Sequence, residues 1–168
     1  MKVPGRVSSG VVKVRSLDAD DREWFVTTLT KTWGSVYVAR KGELVDASQF
    51  PGHVALVEEH RVGLAIVAIR GSEYEVLSLS VTMPRRGIGR ALLYRCFEEA
   101  RSKKCERVWL TTTNDNVAAF AFYQQVGMNL CAFYRNGVSV ARSLKPEIPL
   151  TGAEGIPIDH ELEFELRL

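Results

Sequence analysis

Hydrophobic and polar positions along this chain change their period several times, and each change marks an element. Leu162, Phe164, Leu166 and Leu168 alternate with Glu161, Glu163, Glu165 and Arg167, the cleanest period-two stretch, which predicts a C-terminal strand. Residues 53–58 and 63–69 are two apolar runs joined by Glu59-His60-Arg61-Val62, most simply an antiparallel hairpin. Gly71-Ser72 then turns the chain into a third strand over 74–81. Beyond the segment Pro84-Arg85-Arg86-Gly87-Ile88-Gly89-Arg90 the period becomes helical. Leu92, Leu93, Cys96, Phe97 and Ala100 share one face, with Arg95, Glu98, Glu99 and Arg101 opposite. Residues 106–113 read as a strand again. Because a helix separates it from 74–81, the two should be parallel, with a right-handed crossover.

The remaining pattern is weaker. Val11, Val12 and Val14 suggest an edge strand, and Asp18 caps a helix with Trp24, Phe25, Leu29 and Trp33 inward, ended by Gly34. Residues 35–52 are mixed, with strand-like Val36-Tyr37-Val38 between turns. Asn114-Asp115-Asn116 supplies caps for a helix over 117–125, and Gly127 fits the position after it. Residues 128–135 form one more strand, closed by the turn signal Asn136-Gly137. Residues 137–159, with Pro146, Pro149 and Pro157 among glycines, predict a long connection packed through Ile148, Leu150, Ile156 and Ile158.

Composition narrows the class. The 168 residues fit a single domain over 1–168, with residues 1–10 as a flexible tail, and no disulfide or metal is needed to fold it. A net charge of +2 without a basic stripe argues against nucleic acid or a membrane as partner. Cys96, Cys105 and Cys131 have no metal-type spacing and read as free thiols. The first ten residues lack a signal-peptide core, and the apolar run 62–69 is too short to span a bilayer, so a cytoplasmic protein is expected.

The glycine segment is the first candidate for chemistry. Gly87 and Gly89 let backbone N–H groups point inward at a helix start, where the helix dipole and Arg85, Arg86 and Arg90 favour a phosphate or pyrophosphate. A plain turn with solvated arginines would carry the same residues. Two better-known phosphate loops fail on spacing. A dinucleotide fingerprint needs a small residue where Leu92 stands, and a P-loop needs Gly-Lys-Ser/Thr. The second candidate is the face shared by Asn116, Ala119 and Tyr123. Asn116 and Tyr123, seven residues apart, lie within about 20° of each other on a helix. Tyr123 also reads as a core aromatic whose hydroxyl finds a partner.

The order Val81…Arg85-Arg86-Gly87-Ile88-Gly89-Arg90-Ala91-Leu92-Leu93, followed by Asn116-x-x-Ala119-x-x-Phe122-Tyr123-x-x-x-Gly127-Met128, resembles the GCN5-related N-acetyltransferase (GNAT) family. The resemblance is good over about 53–135 and loose before that. It implies an α/β (α+β) fold with a mixed, mostly antiparallel twisted sheet of six to seven strands, flanked by helices and splayed between two central parallel strands. It also implies acetyl-CoA-dependent transfer of an acetyl group to a primary amine. Loop amides of Arg86, Gly87, Ile88, Gly89, Arg90 and Ala91 would hold the pyrophosphate, with Arg85 beside them, and the main chain of Leu79, Ser80 and Val81 would pair with the pantetheine arm. Asn116 would bond the cofactor, with Ala119 on the same face, and Tyr123 would protonate the leaving thiolate.

Direct transfer from a thioester needs a deprotonated amine, donors for the oxyanion and an acid for sulfur. Glu75, six residues before Val81, is the candidate base; a solvated strand-end carboxylate or a water relay are the alternatives. The chain departs from the family at Pro84, where Gln or Arg is usual, and in a connection from Val81 to Gly87 about two residues short. A second function class is an acyl-CoA-binding sensor without turnover, and a third is a nucleotide-binding domain. The acceptor is open. Asp46, Asp159, Glu161 and Glu163 are available to line an acidic pocket, and residues 137–159 are expected on the substrate side. The C-terminal strand, if exposed, would offer an edge for a homodimer.

Overall fold

The computed structural model describes residues 10–168, so the tail expected over 1–10 falls, but for Gly10, outside the described residues. In chain order the elements are β1 (Lys13–Ser16), α1 (Arg22–Trp33), β2 (Tyr37–Arg40), β3 (Glu43–Asp46), β4 (Gly52–Val57), β5 (His60–Arg70), β6 (Glu73–Val81) and α2 (Ile88–Ser102). There follow β7 (Arg107–Thr113), α3 (Val117–Gln125), β8 (Asn129–Tyr134), α4 (Gly137–Leu144) and β9 (Glu161–Arg167). Seven strands make one sheet in the order β1-β4-β5-β6-β7-β9-β8, and β2 with β3 forms a separate hairpin. All neighbours in the large sheet are antiparallel except β6 and β7. This is the expected mixed sheet.

Local chemistry explains where the elements begin and end. Asp18 accepts from the Asp20 N–H while Asp21 accepts from the Asp18 N–H, a capping box that starts a short 3-10 turn and then α1. Gly34, at φ 82°, ends α1 in the left-handed region that favours glycine. The apolar face anticipated for α2 is buried throughout: Leu92, Leu93, Cys96, Phe97 and Ala100. With β4, β5 and β6 it forms one core, joined by Tyr123 of α3 and Phe164 of β9. A second core lies on the opposite face, where Phe25 and Leu29 of α1 pack on Leu64, Ile66, Ala68 and Leu77.

Four expectations need correction. The hairpin between β4 and β5 turns on two residues, not four: Val57 pairs with His60, and Glu58 and Glu59 have φ 49° and 63°. That is the left-handed pair a tight hairpin requires, here taken by non-glycine residues and therefore invisible as a glycine signal. Trp33, expected inward, is 44% exposed, although its Nε1 donates to Ser78 Oγ at 3.0 Å. Residues 137–144 are helical rather than loop, with Val138 and Ala141 buried one turn apart, and Asn136 at φ 58° leads a strand into this helix. Finally, β9 is not at the edge. It is hydrogen-bonded to β7 on one side and β8 on the other, so its backbone has no free edge for a homodimer; the sheet ends at β1 and β8.

No helix among the described residues is long and apolar enough to cross a membrane. Cys96, Cys105 and Cys131 are free thiols, the first two buried.

Candidate active site

The parallel pairing of β6 and β7 is short. It covers Glu73↔Arg107, Tyr74↔Val108 and Glu75↔Trp109, although β6 continues to Val81 and β7 to Thr113. A register shift lies opposite, where Ile66 pairs with Ser78 and Val67 with Val76, leaving Leu77 as an extra residue on β6. Such a bulge bends its strand and sharpens the twist, which fits the divergence of β6 from β7 just after Glu75. Between the diverging strands opens a cleft of about 1300 Å³, with Val76, Leu77, Ser78 and Leu79 on one wall and Leu110, Thr111, Thr112 and Thr113 on the other. Trp33 and Tyr37, α3, α4 and the segment after α4 complete it. Of the expected pantetheine residues, Leu79 lines the cleft, while Ser80 and Val81 lie beyond it.

The glycine turn stands at the head of α2. Arg85 (φ 63°) and Gly87 (φ 75°) both take the left-handed conformation, and Gly87 is the N-cap residue. The Ala91 N–H bonds the Gly87 carbonyl at 3.0 Å. The amides of Ile88, Gly89 and Arg90, one to three residues into the helix, therefore have no carbonyl four residues back within it. The two glycines serve different purposes. A methyl group on Gly87 would meet nothing within 4 Å, whereas one on Gly89 would meet the Phe122 ring at 3.2 Å. Gly87 supplies a conformation and open ground; Gly89 lets α3 approach α2. Arg85, Arg86 and Arg90 are exposed around this turn, and Ile88 is buried beneath it. The turn is not part of the cleft lining. It adjoins the cleft through α3, where Phe122 rests on Gly89 and the next residue, Tyr123, lines the cavity.

Asn116 caps α3, its Oδ1 accepting from the Ala119 N–H at 3.1 Å, and it lines the cleft with Tyr123. Ala119, on the same face, packs into the core instead. Tyr123 is held between Phe122 and Phe164, with ring centroids 5.5 and 5.4 Å away. Its hydroxyl makes no hydrogen bond among the described residues, and burial pushes its pKa up to about 12. A phenol so placed carries its proton throughout the neutral range.

Glu75 occupies a different environment from the one expected of a base. It is 3% exposed, it is absent from the cleft lining, and both its oxygens are engaged. Arg40 donates through Nε to Oε1 at 2.6 Å and through Nη2 to Oε2 at 2.7 Å, while its Nη1 reaches Glu43. A bidentate pair of this kind fastens the β2–β3 hairpin onto the sheet. The adjoining Lys41 places its Nζ 4.5 Å from the Trp109 ring centroid and donates to Glu163 at 2.9 Å. Glu163 also accepts from Arg107 and Tyr134. Asp46 caps the turn after β3 through Ser48, and Asp159 is half-buried away from the cavity.

Of the four carboxylates available for an acidic pocket, only Glu161 lines the cleft. It is 3% exposed; its Oε2 accepts from the Lys41 backbone N–H at 2.9 Å, and burial raises its pKa. Lys145 also lines the cleft, with Nζ donating to the carbonyls of Trp33 and Tyr37 at 2.7 Å each, and burial lowers its pKa. Sequence pattern carried no signal for Lys145, because its partners lie more than a hundred residues away.

The sequence model of the Acetyltransferase (GNAT) family matches residues 18–128, which contain the split strands, the glycine turn and α3. The uncharacterized protein YdhI of Bacillus subtilis is 38% identical over 135 residues, covering 80% of this chain and 84% of the relative. Among solved structures, an IAA acetyltransferase from Bacillus cereus superposes with a TM-score of 0.73 at 17% identity, covering 94% of this chain and all of that one (100%). A Bacillus subtilis acetyltransferase in complex with CoA superposes with a TM-score of 0.66 at 13% identity, covering 94% and 97%. The glycine turn that caps α2 and the divergent parallel strands lie within the matched residues, and the chain belongs to the acetyltransferase (GNAT) family.

Proposed function

We propose that the protein transfers an acetyl group from acetyl-CoA directly to a primary amine. The observation that carries this reading is the cleft between β6 and β7, which holds a buried, protonated tyrosine and adjoins a helix N-terminus ringed by arginines. The amides of Ile88, Gly89 and Arg90, which have no carbonyl partner within α2, the helix dipole and the charges of Arg85, Arg86 and Arg90 suit a pyrophosphate. Past Glu75, the side of β6 turned toward β7 has no strand partner, so its main chain can take an extended pantetheine arm as an added strand. Asn116 at the head of α3 would bond that arm, and Tyr123 would meet the sulfur.

The chemistry then follows. A neutral amine attacks the thioester carbonyl, forming the C–N bond; the tetrahedral intermediate collapses and the C–S bond breaks. The thiolate takes the Tyr123 proton, and the proton shed by nitrogen restores the phenol.

The test is release of thiol from acetyl-CoA across a panel of primary amines, with thermal-shift measurements using CoA, ATP and NAD. Protection by CoA and amine-dependent thiol release are expected. Protection by CoA with no turnover on any amine would instead make the protein an acyl-CoA sensor, and protection by ATP or NAD alone would make it a nucleotide-binding domain.

A further inference from the structure

The acetyltransferase reading starts from a neutral amine and leaves the extra proton of the acceptor's ammonium form without a destination, because Glu75 is closed off by Arg40. Acceptor amines are ammonium ions at neutral pH, with pKa values near that of lysine. A group in the cleft that binds this cation and removes a proton would ready it for attack.

Glu161 meets both requirements by position. It is the first residue of β9, opposite Thr113 at the end of β7, where β6 has already turned away. The carboxylate points to the face of the sheet opposite Tyr123. Phe164 packs on Tyr123, and along β9 the odd-numbered glutamates alternate with that residue. The two groups thus reach one cleft from opposite faces. Two features hold Glu161 there. Its Oε2 accepts from the Lys41 N–H, and Gly137 at the start of α4 leaves room for it, since a methyl group on Gly137 would lie 3.2 Å from its Cβ and Cγ. Its Oε1 makes no hydrogen bond among the described residues. The nearby cations are spent elsewhere: Arg40 on Glu75 and Glu43, and the Lys41 Nζ on Glu163. Among the described residues Glu161 makes no salt bridge of its own, although the charges of Arg40 and Lys41 act on it from a distance.

The rest of the lining says what the ammonium is attached to. Trp33, Tyr37, Ile148, Pro149 and Ile156 give an apolar wall. The basic residues of the lining are Arg40 and Lys145; the first is paired, and the second is 6% exposed with two of its three N–H groups given to carbonyls, so the carboxylates of the lining outnumber its cations. Asp115, Glu147 and Glu154 add negative charge. A carboxylate brought into such a site would be desolvated among like charges, a cost that disfavours it.

We propose that Glu161 binds the acceptor's ammonium and takes its proton, and that the acceptor is a cationic primary amine with an apolar body and no carboxylate beside the amine. One N–H proton passes to the Glu161 carboxylate, freeing the nitrogen lone pair for attack on the thioester. The carboxyl then returns its proton to water, so the whole reaction releases one proton, with amide and thiol as products. This inference rests on the acetyltransferase reading.

The probes are phenethylamine and phenylalanine, which differ by the carboxylate, with acetyl-CoA as donor and CoA affinity measured separately by calorimetry. Wild-type protein should turn over phenethylamine with kcat/KM at least about 10-fold above phenylalanine, a discrimination that an unpaired buried carboxylate readily supplies. Glu161→Gln should lower kcat/KM for phenethylamine by about 100-fold, the usual size of a general base's contribution, with CoA affinity unchanged. Glu161→Asp should recover part of the loss, which also guards against a folding defect in the amide variant. Undiminished turnover in Glu161→Gln, equal use of phenylalanine, or CoA binding with no turnover of phenethylamine would each overturn the proposal. Failure to bind CoA at all would sink the acetyltransferase reading along with it.

Discussion

Tyr123 and Glu161 line one cleft from opposite faces of the same sheet. In an intact sheet, residues on opposite faces are separated by the continuous hydrogen-bonded backbone layer. Here the parallel pair stops at Glu75↔Trp109, and the gap beyond joins the two sides. The proposed proton donor, Tyr123, and the proposed proton acceptor, Glu161, can then flank one reacting carbon without meeting and neutralising each other.

Tyr123→Phe removes the hydroxyl and keeps the ring packing against Phe122 and Phe164. Turnover should fall by about 100-fold, within the range of a positioned general acid, with CoA affinity unchanged. The wild-type pH profile carries a second signature. The folded pKa is raised to about 12 by burial, so the proton-bearing form persists below that value. Turnover should therefore not decline across the ordinary tyrosine range near pH 10. A decline there that disappears in Tyr123→Phe would show that the phenol ionises normally and is not desolvated.

Gly87 separates conformation from ligand space. It sits at φ 75°, and a methyl group added there would find nothing within 4 Å, so Gly87→Ala should leave CoA affinity nearly intact. The same change should cost about 1 kcal/mol of stability from backbone strain. Gly87→Glu adds the same strain plus bulk and negative charge at the proposed pyrophosphate site, and should abolish CoA binding. Equal CoA affinity in both variants, measured by calorimetry, would remove this turn from the binding site.

The parts of the molecule legible in the sequence are those set by short spacing. The glycine turn, the α2 face and the Asn116–Tyr123 register each depend on contacts within about two helical turns. What stays hidden depends on partners far along the chain. The glutamates of β9 look like the solvated side of an edge strand, because period two reveals that faces differ but not what covers each. Lys41 and Arg107, from distant segments, cover Glu163 and bury that side. Glu75 reads as an available base for the same reason, its guanidinium partner being 35 residues away. The helix over 137–144 is masked by Asn136-Gly137 at its start, a turn signature that here introduces a helix.

Asp21 ties the start of α1 to the sheet. Its side chain is fully buried and accepts from Arg15 at 2.6 and 3.0 Å, from Arg61 at 2.7 Å and from the Asp18 N–H. The hydrogen bonds from Arg15, above all, hold its pKa well below the ordinary carboxylate range. A folded pKa below the unfolded one adds stability that is present above about pH 4 and is lost as pH falls through the folded value. Thermal melts should therefore show a drop in Tm from pH 5, about one unit above the unfolded Asp value, toward pH 2, about two units below it. Asp21→Asn should start lower at neutral pH and lose less of its stability on acidification. An identical acid slope in both proteins would refute this role.

Glu75 decides between anchor and base. With both side chains of the pair 4% exposed, Glu75→Gln leaves the buried Arg40 guanidinium with Glu43 as its remaining anion. Removing one partner of a buried pair is costly, so stability should fall by about 3 kcal/mol by chemical denaturation. Arg40→Met should destabilise comparably, and the double variant Arg40→Met, Glu75→Gln should recover part of the loss, since it leaves no unpaired buried charge. Turnover of the folded Glu75→Gln fraction should change far less than in Glu161→Gln, because no oxygen of Glu75 faces the cleft. Full stability with a collapse of turnover in Glu75→Gln would return the base to β6 and make the Arg40 pair a means of tuning it.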